Sequence, residues 1–454
     1  MIPSDWRIEL SPDTRREDDG RILIGGAPFR LLRLNAAGAR AVDRLVSGAP
    51  VGDGAGIQAL ARRLLDAGMA HPRPTSGRMS PDQVTIVVPF HGPSGELATT
   101  LDRAGPADRI IVVDDASPDE SVARTAATRG ASVIRHPRNL GPAAARNSGW
   151  RRATTELVAF LDAGCLPQDR WLDALLPHFD DPRVMAVAPR ITSVIPPSLP
   201  RWLAAYETAR PSLDRGPAEA TVRPRSRVPF VPTAALVVRR AELERVGGFD
   251  ERLRAGEDVD LVWRLGRDGA TVRYEPASTV AHIARPTALA WLRQRYTYGT
   301  SAAPLARRHG RAVAPVAVSS WTAGAWTLAG AGAPLAGVAV AATSAALLPR
   351  RLEGLRHPWR ESARLAGLGH LYGGPAIADA IRRPWWPFAV AAATASRRGR
   401  RTVAIAVAAP LLVEWVRERP PLDPVRWGAL RLADDLAYGA GVLGGVYHYR
   451  ALFI

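Results

Sequence analysis

Residues 109–121 read RIIVVDDASPDES. The largely apolar run 109–113 ends in two carboxylates, Asp114 and Asp115, and Pro118 follows where proline can open a helix. Comparable apolar runs alternate with segments typical of helices along the middle of the chain. The predicted strands are 84–89, 109–113, 132–135, 157–161 and 184–188, and the predicted helices are 96–103, 118–128, 142–152 and 170–179. This alternation predicts an α/β domain with a parallel, doubly wound sheet.

Acidic residues directly follow two of these predicted strands. Asp114 and Asp115 follow the strand at 109–113, and Asp162 follows the strand at 157–161. Ligands of doubly wound sheets bind at the carboxyl ends of the strands, where carboxylates suit base recognition and a metal-held diphosphate. An Asx turn or a helix cap explains an isolated aspartate equally well.

Six short motifs occur in a fixed order between residues 82 and 285. They are TIVVPFHG, IIVVDDASPDES, RNLGPAAARNSG, LVAFLDAGCLP, GGFDE and AGEDVDLVWRLGRDG. Together they resemble the family 2 glycosyltransferases of GT-A fold. The resemblance implies a Rossmann-like nucleotide-diphospho-sugar transferase domain, a nucleotide-diphosphate sugar as donor, and inversion at the anomeric carbon.

The same resemblance implies roles for single residues. The donor would be bound by Pro89, His91, Asp114, Asp115, Arg146, Asn147 and Asp162, and one of the two adjacent aspartates would accept a hydrogen bond from the uracil. The acceptor side would be shaped by Gly248, Phe249 and Asp250. Glu257 and Asp258 match the acidic pair that supplies the catalytic base. We expect Asp258, at the start of a helix over EDVDLVWRL, to take the proton of the acceptor hydroxyl, whereas favourable placement at the helix dipole is the plainer explanation.

The metal-binding motif departs from the family pattern. The family usually has Asp-x-Asp, whereas this chain has Asp162-Ala163-Gly164. The resemblance still implies a divalent metal, Mg or Mn, with Asp162 and His282 as its ligands. There are two alternatives: an arginine takes over part of the role of the metal, or the enzyme is impaired.

Residues 1–75 are predicted to form a separate module. Strands are expected at 21–25 and 29–34, helices at 36–46 and 57–67, and a linker at 71–77. The pattern LNAAGARAVDRLVSG … IQALARRLLDAGMAHP resembles the PqqD-like winged-helix modules, and this implies a precursor peptide or a biosynthetic protein as partner. A plain helical cap on the enzyme is the alternative.

The charge pattern points to a membrane surface rather than to nucleic acid. The 454 residues carry a formal net charge of +17, and every basic side chain is arginine, with no lysine. More than half of the positive excess lies in residues 311–454, beside the most apolar sequence. No basic stripe with interleaved aromatic residues is present, so we expect no nucleic-acid partner.

The apolar segments of 311–454 predict a helical, membrane-associated region. Residues 312–349 contain no charged side chain, which predicts a hairpin of two spanning helices, 312–328 and 335–348, with both basic flanks on the cytoplasmic side. Two shorter apolar segments, 385–396 and 402–413, flank the basic run 397–401 and are typical of interfacial helices. A buried pair of Ala-rich helices is the alternative for 312–349.

The predicted location follows from these segments and from the start of the chain. Residues 1–9 contain Asp5 and no apolar core, so no signal peptide is predicted. The single Cys165 excludes an internal disulfide framework and a zinc site built on cysteines. The expected location is the cell membrane, with the catalytic domain on the cytoplasmic side.

Three features follow one another: a PqqD-like module at 1–75, a family 2 catalytic domain at 76–310, and a tail at 311–454 with the phrases HPWRESARLAGLGHLYGGPAIADAIRRPWWPF and DDLAYGAGVLGGVYHYR. This order resembles the glycosyltransferase family of the mycofactocin system. The resemblance implies addition of β-1,4-linked glucose from UDP-glucose to the peptide-derived redox cofactor premycofactocin. A membrane glycan synthase with a lipid or polysaccharide acceptor and a non-catalytic sugar-nucleotide-binding scaffold are the alternatives.

Overall fold

A mixed β-sheet forms the centre of the part of the chain that carries the motifs. The structure is a computed structural model that describes residues 1–75, 77–105 and 107–450. Within these residues the strands are β1 Arg7–Leu10, β2 Arg15–Glu17, β3 Ile22–Gly25, β4 Arg30–Arg33, β5 Ala70–Arg73, β6 Val84–Phe90, β7 Ile110–Asp114, β8 Ser132–Arg135, β9 Leu157–Leu161, β10 Cys165–Pro167, β11 Val184–Val194, β12 Ala220–Thr221, β13 Ala235–Arg239 and β14 Thr271–Ile283.

The α-helices of the described residues flank this sheet and form most of the C-terminal third. They are α1 Ala36–Val46, α2 Ala55–Asp66, α3 Ser94–Ala104, α4 Val122–Ala127, α5 Pro142–Arg152, α6 Arg201–Ala209, α7 Arg240–Val246, α8 Glu257–Leu265, α9 Ala288–Thr300, α10 Ala302–His309, α11 Ser320–Gly330, α12 Pro334–Leu347, α13 Pro358–Arg382, α14 Trp386–Ala395, α15 Arg397–Glu418 and α16 Pro424–Tyr449. The chain divides into two compact units. The first is Met1–Pro196 with Pro211–Ala284, and the second is Pro197–Arg210 with the described residues from Arg285 onward.

The central sheet is mixed, with parallel pairs on both sides of the antiparallel strand β13. Its strand order is β10-β14-β11-β13-β9-β6-β7-β8, with β12 paired to β14. Strands β9, β6, β7 and β8 run parallel, as predicted, whereas β13 is antiparallel to both β9 and β11. The prediction of an entirely parallel sheet is therefore wrong. Strands β6, β7 and β9 were recognisable because both of their faces are buried and their sequences are almost continuously apolar.

The predicted helix at 170–179 is also wrong. This segment consists of turns and a short 3₁₀-helix over Leu176–Asp180. Arg170 has a left-handed backbone with φ of 57°, and Pro177 has no N–H group to donate. Hydrogen bonds between residues three apart replace the α-helical ladder, as from Leu175 N–H to the Leu172 carbonyl (2.9 Å).

The N-terminal residues of the first unit form a small α/β module of their own. Strands β2, β3 and β4 make an antiparallel sheet, and β1 pairs with β5. Helix α1 begins where predicted, because the Asn35 side chain accepts a hydrogen bond from the Gly38 N–H (2.8 Å). The predicted linker starts too early, since residues 70–73 are strand β5; Ser76 lies outside the described residues. The likeness to PqqD-like modules stays a prediction.

The second unit is helical and carries charged groups in its interior. Asp435 is fully buried and accepts hydrogen bonds from Arg382 (2.9 Å), Arg383 (2.6 Å) and Arg431 (2.8 Å). Burial opposes its charge, but the arginines outweigh burial and hold the pKa of Asp435 well below its usual range. The three helices α13, α15 and α16 are thereby fixed through charge as well as through apolar packing, since Arg431 also bonds to Glu414.

The two predicted membrane spans are not formed. The uncharged region instead contains α11 with 11 residues and α12 with 14 residues, whereas a span needs about 20. Gly332 and the turn before Pro334 interrupt the apolar run. None of the helices in the described residues is both long and apolar enough to cross a bilayer.

Candidate active site

The carboxyl ends of β6, β7 and β9 bring the predicted donor residues to one edge of the sheet. Asp114 is the last residue of β7 and is fully buried. Its carboxylate accepts a hydrogen bond from the Ser117 N–H (2.8 Å) and pairs with Arg135. Pro89 lies on the neighbouring strand β6, opposite Val113.

Asp115 shapes the loop that leads into α5. Its carboxylate accepts hydrogen bonds from the backbone N–H groups of Leu140 (2.9 Å) and Gly141 (2.7 Å), and lies 2.7 Å from the His136 Nδ1. The ring of His91 is exposed, with Nδ1 2.9 Å from the Asp115 carbonyl oxygen. These contacts hold both aspartates in place. A carboxylate has about four acceptor positions, so each aspartate retains some capacity to accept a hydrogen bond from the base of a nucleotide.

Arg146 joins two of the predicted carboxylates. Its side chain is buried, and its guanidinium donates to both oxygens of Asp162 (2.7 and 3.0 Å) and to Glu257 (2.9 Å). Burial opposes the charge, but Asp162 and Glu257 outweigh it and raise the pKa of Arg146. The Phe249 ring lies 5.5 Å from the guanidinium carbon. One permanent cation thus connects the end of β9 to the start of α8.

Asn147 holds the turn that precedes Phe249. Its amide nitrogen donates to the Phe249 carbonyl (2.9 Å) and to Glu251 (2.8 Å), and its amide oxygen accepts from the Phe249 N–H (2.9 Å) and from Trp150 (2.9 Å). A side chain on Gly248 would have no room, since a Cβ there would lie 2.5 Å from the Asn147 Oδ1. This buried amide is committed to the turn, so its predicted contact with the donor stays a prediction.

The acidic pair lies at the first turn of α8, as predicted. This helix spans Glu257–Leu265, with Val259, Val262 and Leu265 buried. Burial and the neighbouring Glu257 raise the pKa of Asp258 to about 7. A carboxyl with a pKa near neutrality is suited to accept a proton at neutral pH. Asp250, two residues after Gly248, pairs with Arg252 (2.9 Å) at the rim.

A divalent metal fits this site only with help from a substrate. No set of three His, Cys, Asp or Glu side chains in the described residues is arranged to hold a metal ion. Asp162 is partly exposed at the end of β9, and His282 on β14 lies opposite Cys165 in the β10–β14 register. Mg²⁺ commonly takes one or two carboxylates plus substrate phosphates, so a carboxylate with a diphosphate is a sufficient donor set.

Two residues that contact or act on predicted site residues, Arg215 and His136, were not predicted from the sequence. Arg215 is close enough to lower the pKa of Asp258 against the effect of burial, and its guanidinium lies 4.2 Å from the centre of the Phe230 ring. His136 supports Asp115 and also lies 2.9 Å from the Ser148 hydroxyl. Neither Arg215 nor His136 belongs to one of the six motifs.

Comparison with known proteins identifies relatives at two levels. A family model described as Glycosyl transferase family 2 matches residues 85–245. The chain is 41% identical over 466 residues to the Pre-mycofactocin glycosyltransferase of Mycobacterium tuberculosis, covering 99% of this chain and 97% of that protein. It is 29% identical over 242 residues to Polypeptide N-acetylgalactosaminyltransferase 15 of Mus musculus, covering 47% and 37% of the two chains.

Solved structures give more distant likenesses. The mannosyltransferase of Pyrobaculum calidifontis in complex with GDP-Man and Mn²⁺ is 18% identical, with 66% of this chain and 91% of that chain covered and a TM-score of 0.37. The family model match falls on the mixed α/β sheet, in agreement with the predicted GT-A fold.

Proposed function

The chain belongs to the family of the pre-mycofactocin glycosyltransferases, and from this premise we propose that it transfers glucose from UDP-glucose to premycofactocin in β-1,4 linkage. The protein is a glycosyltransferase, and its similarity to the Mycobacterium tuberculosis enzyme extends over nearly the whole chain. The observation that carries the proposal is the arrangement of Asp258, Glu257, Arg146 and Asp162 at one edge of the sheet.

Asp258 is the base of the proposed reaction. Its carboxylate takes the proton of the acceptor hydroxyl while that oxygen forms a bond to the anomeric carbon of the donor glucose. The bond from this carbon to the diphosphate breaks on the opposite face, and UDP leaves with the electron pair, so the configuration inverts. A pKa of about 7 supports this role, because a useful fraction of the group is ionised at neutral pH.

Arg146 and Asp162 serve the leaving group in this proposal. A divalent cation, Mg or Mn, held by Asp162 and the diphosphate with His282 as a further candidate ligand, would neutralise charge that develops on UDP. Arg146 orients Asp162 through two hydrogen bonds and keeps Glu257 in place beside the base. Asp114, Asp115, Pro89 and His91 form the proposed pocket for the base of the nucleotide.

The direct test is UDP release from UDP-glucose by the purified full chain, with premycofactocin present or omitted. We expect release that depends on the acceptor, and its loss in Asp258→Asn with UDP binding retained. Glu244→Gln, an amide change at an exposed position on α7, is the matched control. Release only with a lipid or polysaccharide acceptor would favour a glycan synthase, and no release with any acceptor would favour a binding scaffold.

We also propose that the second unit associates with the surface of the cytoplasmic membrane, with the first unit on the cytoplasmic side. Helices α12 and α14 bury almost none of their side chains, and Leu335 and Phe388 are 84% and 75% exposed. The first turns of α15 carry the exposed basic run 397–401. Exposed apolar helices next to arginines are typical of interfacial anchors on anionic lipid.

Residues 1–75 are proposed to take a peptide partner, such as the precursor peptide or a biosynthetic protein. Support comes from a cavity of about 770 Å³ that is lined by residues 9–12 and 71–74 of the module and by 217–219 and 275–277 of the catalytic part. Ala218→Trp is expected to obstruct part of this cavity. It should lower the rate of transfer to a peptide-derived acceptor and leave the binding of UDP unchanged.

A further inference from the structure

The loop after β9 leaves an open position where the family pattern has a second acid. Gly164 has a left-handed backbone with φ of 84°, and a Cβ built on it would meet one atom of the described residues within 4 Å. That atom is the Glu96 Oε2, at 3.9 Å. A carboxylate from elsewhere in the chain therefore lies beside the position that a side chain at residue 164 would occupy.

Glu96 lies on helix α3, which is hydrogen-bonded to the loop that contains Gly164. The Gly164 N–H donates a hydrogen bond to the Thr100 hydroxyl on α3 (2.9 Å), and this pair is buried. Leu97 and Leu101 on the same helix are buried in the core of the sheet domain. The start of the helix is held by a hydrogen bond from the Ser94 N–H to Asp119 (2.8 Å).

The Glu96 carboxylate itself is exposed and uncommitted. Within the described residues it takes part in no hydrogen bond and no ion pair. Asp162, two residues before Gly164, pairs with Arg146, which also pairs with Glu257. Among the described residues, Glu96 therefore contributes an unpaired negative charge beside the loop that carries Asp162 and Gly164.

We propose that Glu96 supplies the second carboxylate of the metal site, so that Asp162 and Glu96 hold a divalent cation together with the diphosphate of the donor. The proposal rests on the proposed function, because the diphosphate provides the remaining ligands. Glutamate suits the role, since its longer side chain reaches across the loop from α3, and carboxylate oxygens are the donors that Mg²⁺ and Mn²⁺ accept.

The test measures metal binding directly, by electron paramagnetic resonance titration of the full chain with Mn²⁺ in the presence of UDP. We expect Glu96→Gln to weaken Mn²⁺ binding about tenfold or more. Glu120→Gln, at an exposed position outside the site, should leave the affinity unchanged. Thermal melting of Glu96→Gln should match the parent protein, because the side chain makes no contact that folding needs.

A second variant makes the result specific to position. Adding Gly164→Asp to Glu96→Gln should restore most of the Mn²⁺ affinity, because aspartate tolerates the left-handed backbone better than most residues. Gly164→Asn in the same background shares the backbone strain without the charge and should not restore it. Unchanged Mn²⁺ affinity in Glu96→Gln, or no Mn²⁺ binding by the parent protein, overturns the proposal.

Glucose transfer is measured separately, so the two proposals can fail independently. Transfer without Mn²⁺ binding would overturn the role of Glu96 and leave the proposed function in place. Mn²⁺ and UDP binding that depend on Glu96, without transfer to premycofactocin, would leave the metal site in place and overturn the proposed acceptor.

Discussion

At the scale of single residues, Asp258 depends on its surroundings for its proposed chemistry. Burial and Glu257 raise its pKa to about 7, and only the ionised carboxylate can accept a proton. We expect kcat/KM for transfer to fall about tenfold per pH unit below pH 7 and to level off above it. Glu257→Gln should move this acid limb to lower pH, because it removes the neighbouring negative charge. An acid limb that ends near pH 4 would contradict the assignment.

The same shift makes a prediction about stability. Folding raises the pKa of the Asp258 carboxyl from an unfolded value near 4 to about 7. The protonated group therefore stabilises the folded protein at low pH, and this contribution is lost as the pH rises from about 4 to about 7. Asp258→Asn removes this loss. Its Tm should therefore exceed that of the parent protein by more at pH 8 than at pH 5, as measured by calorimetry. An equal difference at both pH values would show that the amide acts through packing alone.

Alanine substitutions at Gly247 and Gly248 distinguish the cost of backbone strain from the cost of a steric clash. Both residues have left-handed backbones, with φ of 75° and 69°. Among the described residues, a Cβ on Gly247 would meet nothing within 4 Å, whereas a Cβ on Gly248 would lie 2.5 Å from Asn147 and 2.8 Å from Trp150. We expect Gly247→Ala to cost about 1 kcal/mol in the free energy of unfolding. Gly248→Ala should cost more and should also lower activity, since Asn147 must move.

Equal losses in urea unfolding for the two alanine variants would contradict this reading of the turn. The sequence alone could not have made the distinction, because both glycines belong to one motif.

Sequence analysis did identify Arg146, Asp162, Glu257 and Asp258, and the structure brings these four together. It could not identify Glu96, because that residue lies in no motif, and its proximity to Gly164 depends on how α3 packs.

At the scale of elements, the sequence predicted best where a strand is buried on both faces. Strands β6, β7 and β9 agree with the predicted runs to within a residue or two. Strand β14 was not predicted, since its burial changes along its length and its partners β10, β11 and β12 come from distant parts of the chain. The direction of β13 was equally out of reach, because it depends on long-range pairing and not on local pattern.

The helices of the second unit offer a test of buried charge. The buried Asp435 binds Arg382 at the end of α13, Arg383 directly after it, and Arg431 on its own helix α16. Asp435→Asn would leave these cations without their shared anion, which we expect to cost about 3–5 kcal/mol in the free energy of unfolding. Glu418→Gln, on the exposed end of α15, should change it by less than about 1 kcal/mol. Similar unfolding midpoints for the two variants would refute this role of Asp435.

At the scale of the whole molecule, the distribution of charge predicts that the protein binds to anionic lipid surfaces. The four arginines of the run 397–401 are exposed on α15. Replacing all four by glutamine should weaken flotation with vesicles of anionic lipid at low salt, since each basic residue near such a surface contributes about 1 kcal/mol. The matched control removes the same charge from the first unit, at Arg7, Arg40, Arg63 and Arg124.

Apolar contact should be separable from charge in the same assay. Leu335→Asp combined with Val338→Asp, on the exposed face of α12, should reduce the binding that persists at high salt. No flotation of the parent protein with any vesicle, or an equal loss in the control with four arginines replaced in the first unit, would overturn the proposed surface association.

The single thiol of the chain, Cys165, is the first residue of strand β10, directly after the loop that carries Asp162 and Gly164. Cys165 is fully buried, donates to the Ala234 carbonyl (3.3 Å), and burial raises the pKa of its thiol. A maleimide dye should therefore label the native protein only when strand β10 and the loop before it open briefly. The labelling rate therefore reports how often this part of the protein opens. Saturating UDP with Mn²⁺ should lower the labelling rate if the nucleotide closes the edge of the sheet.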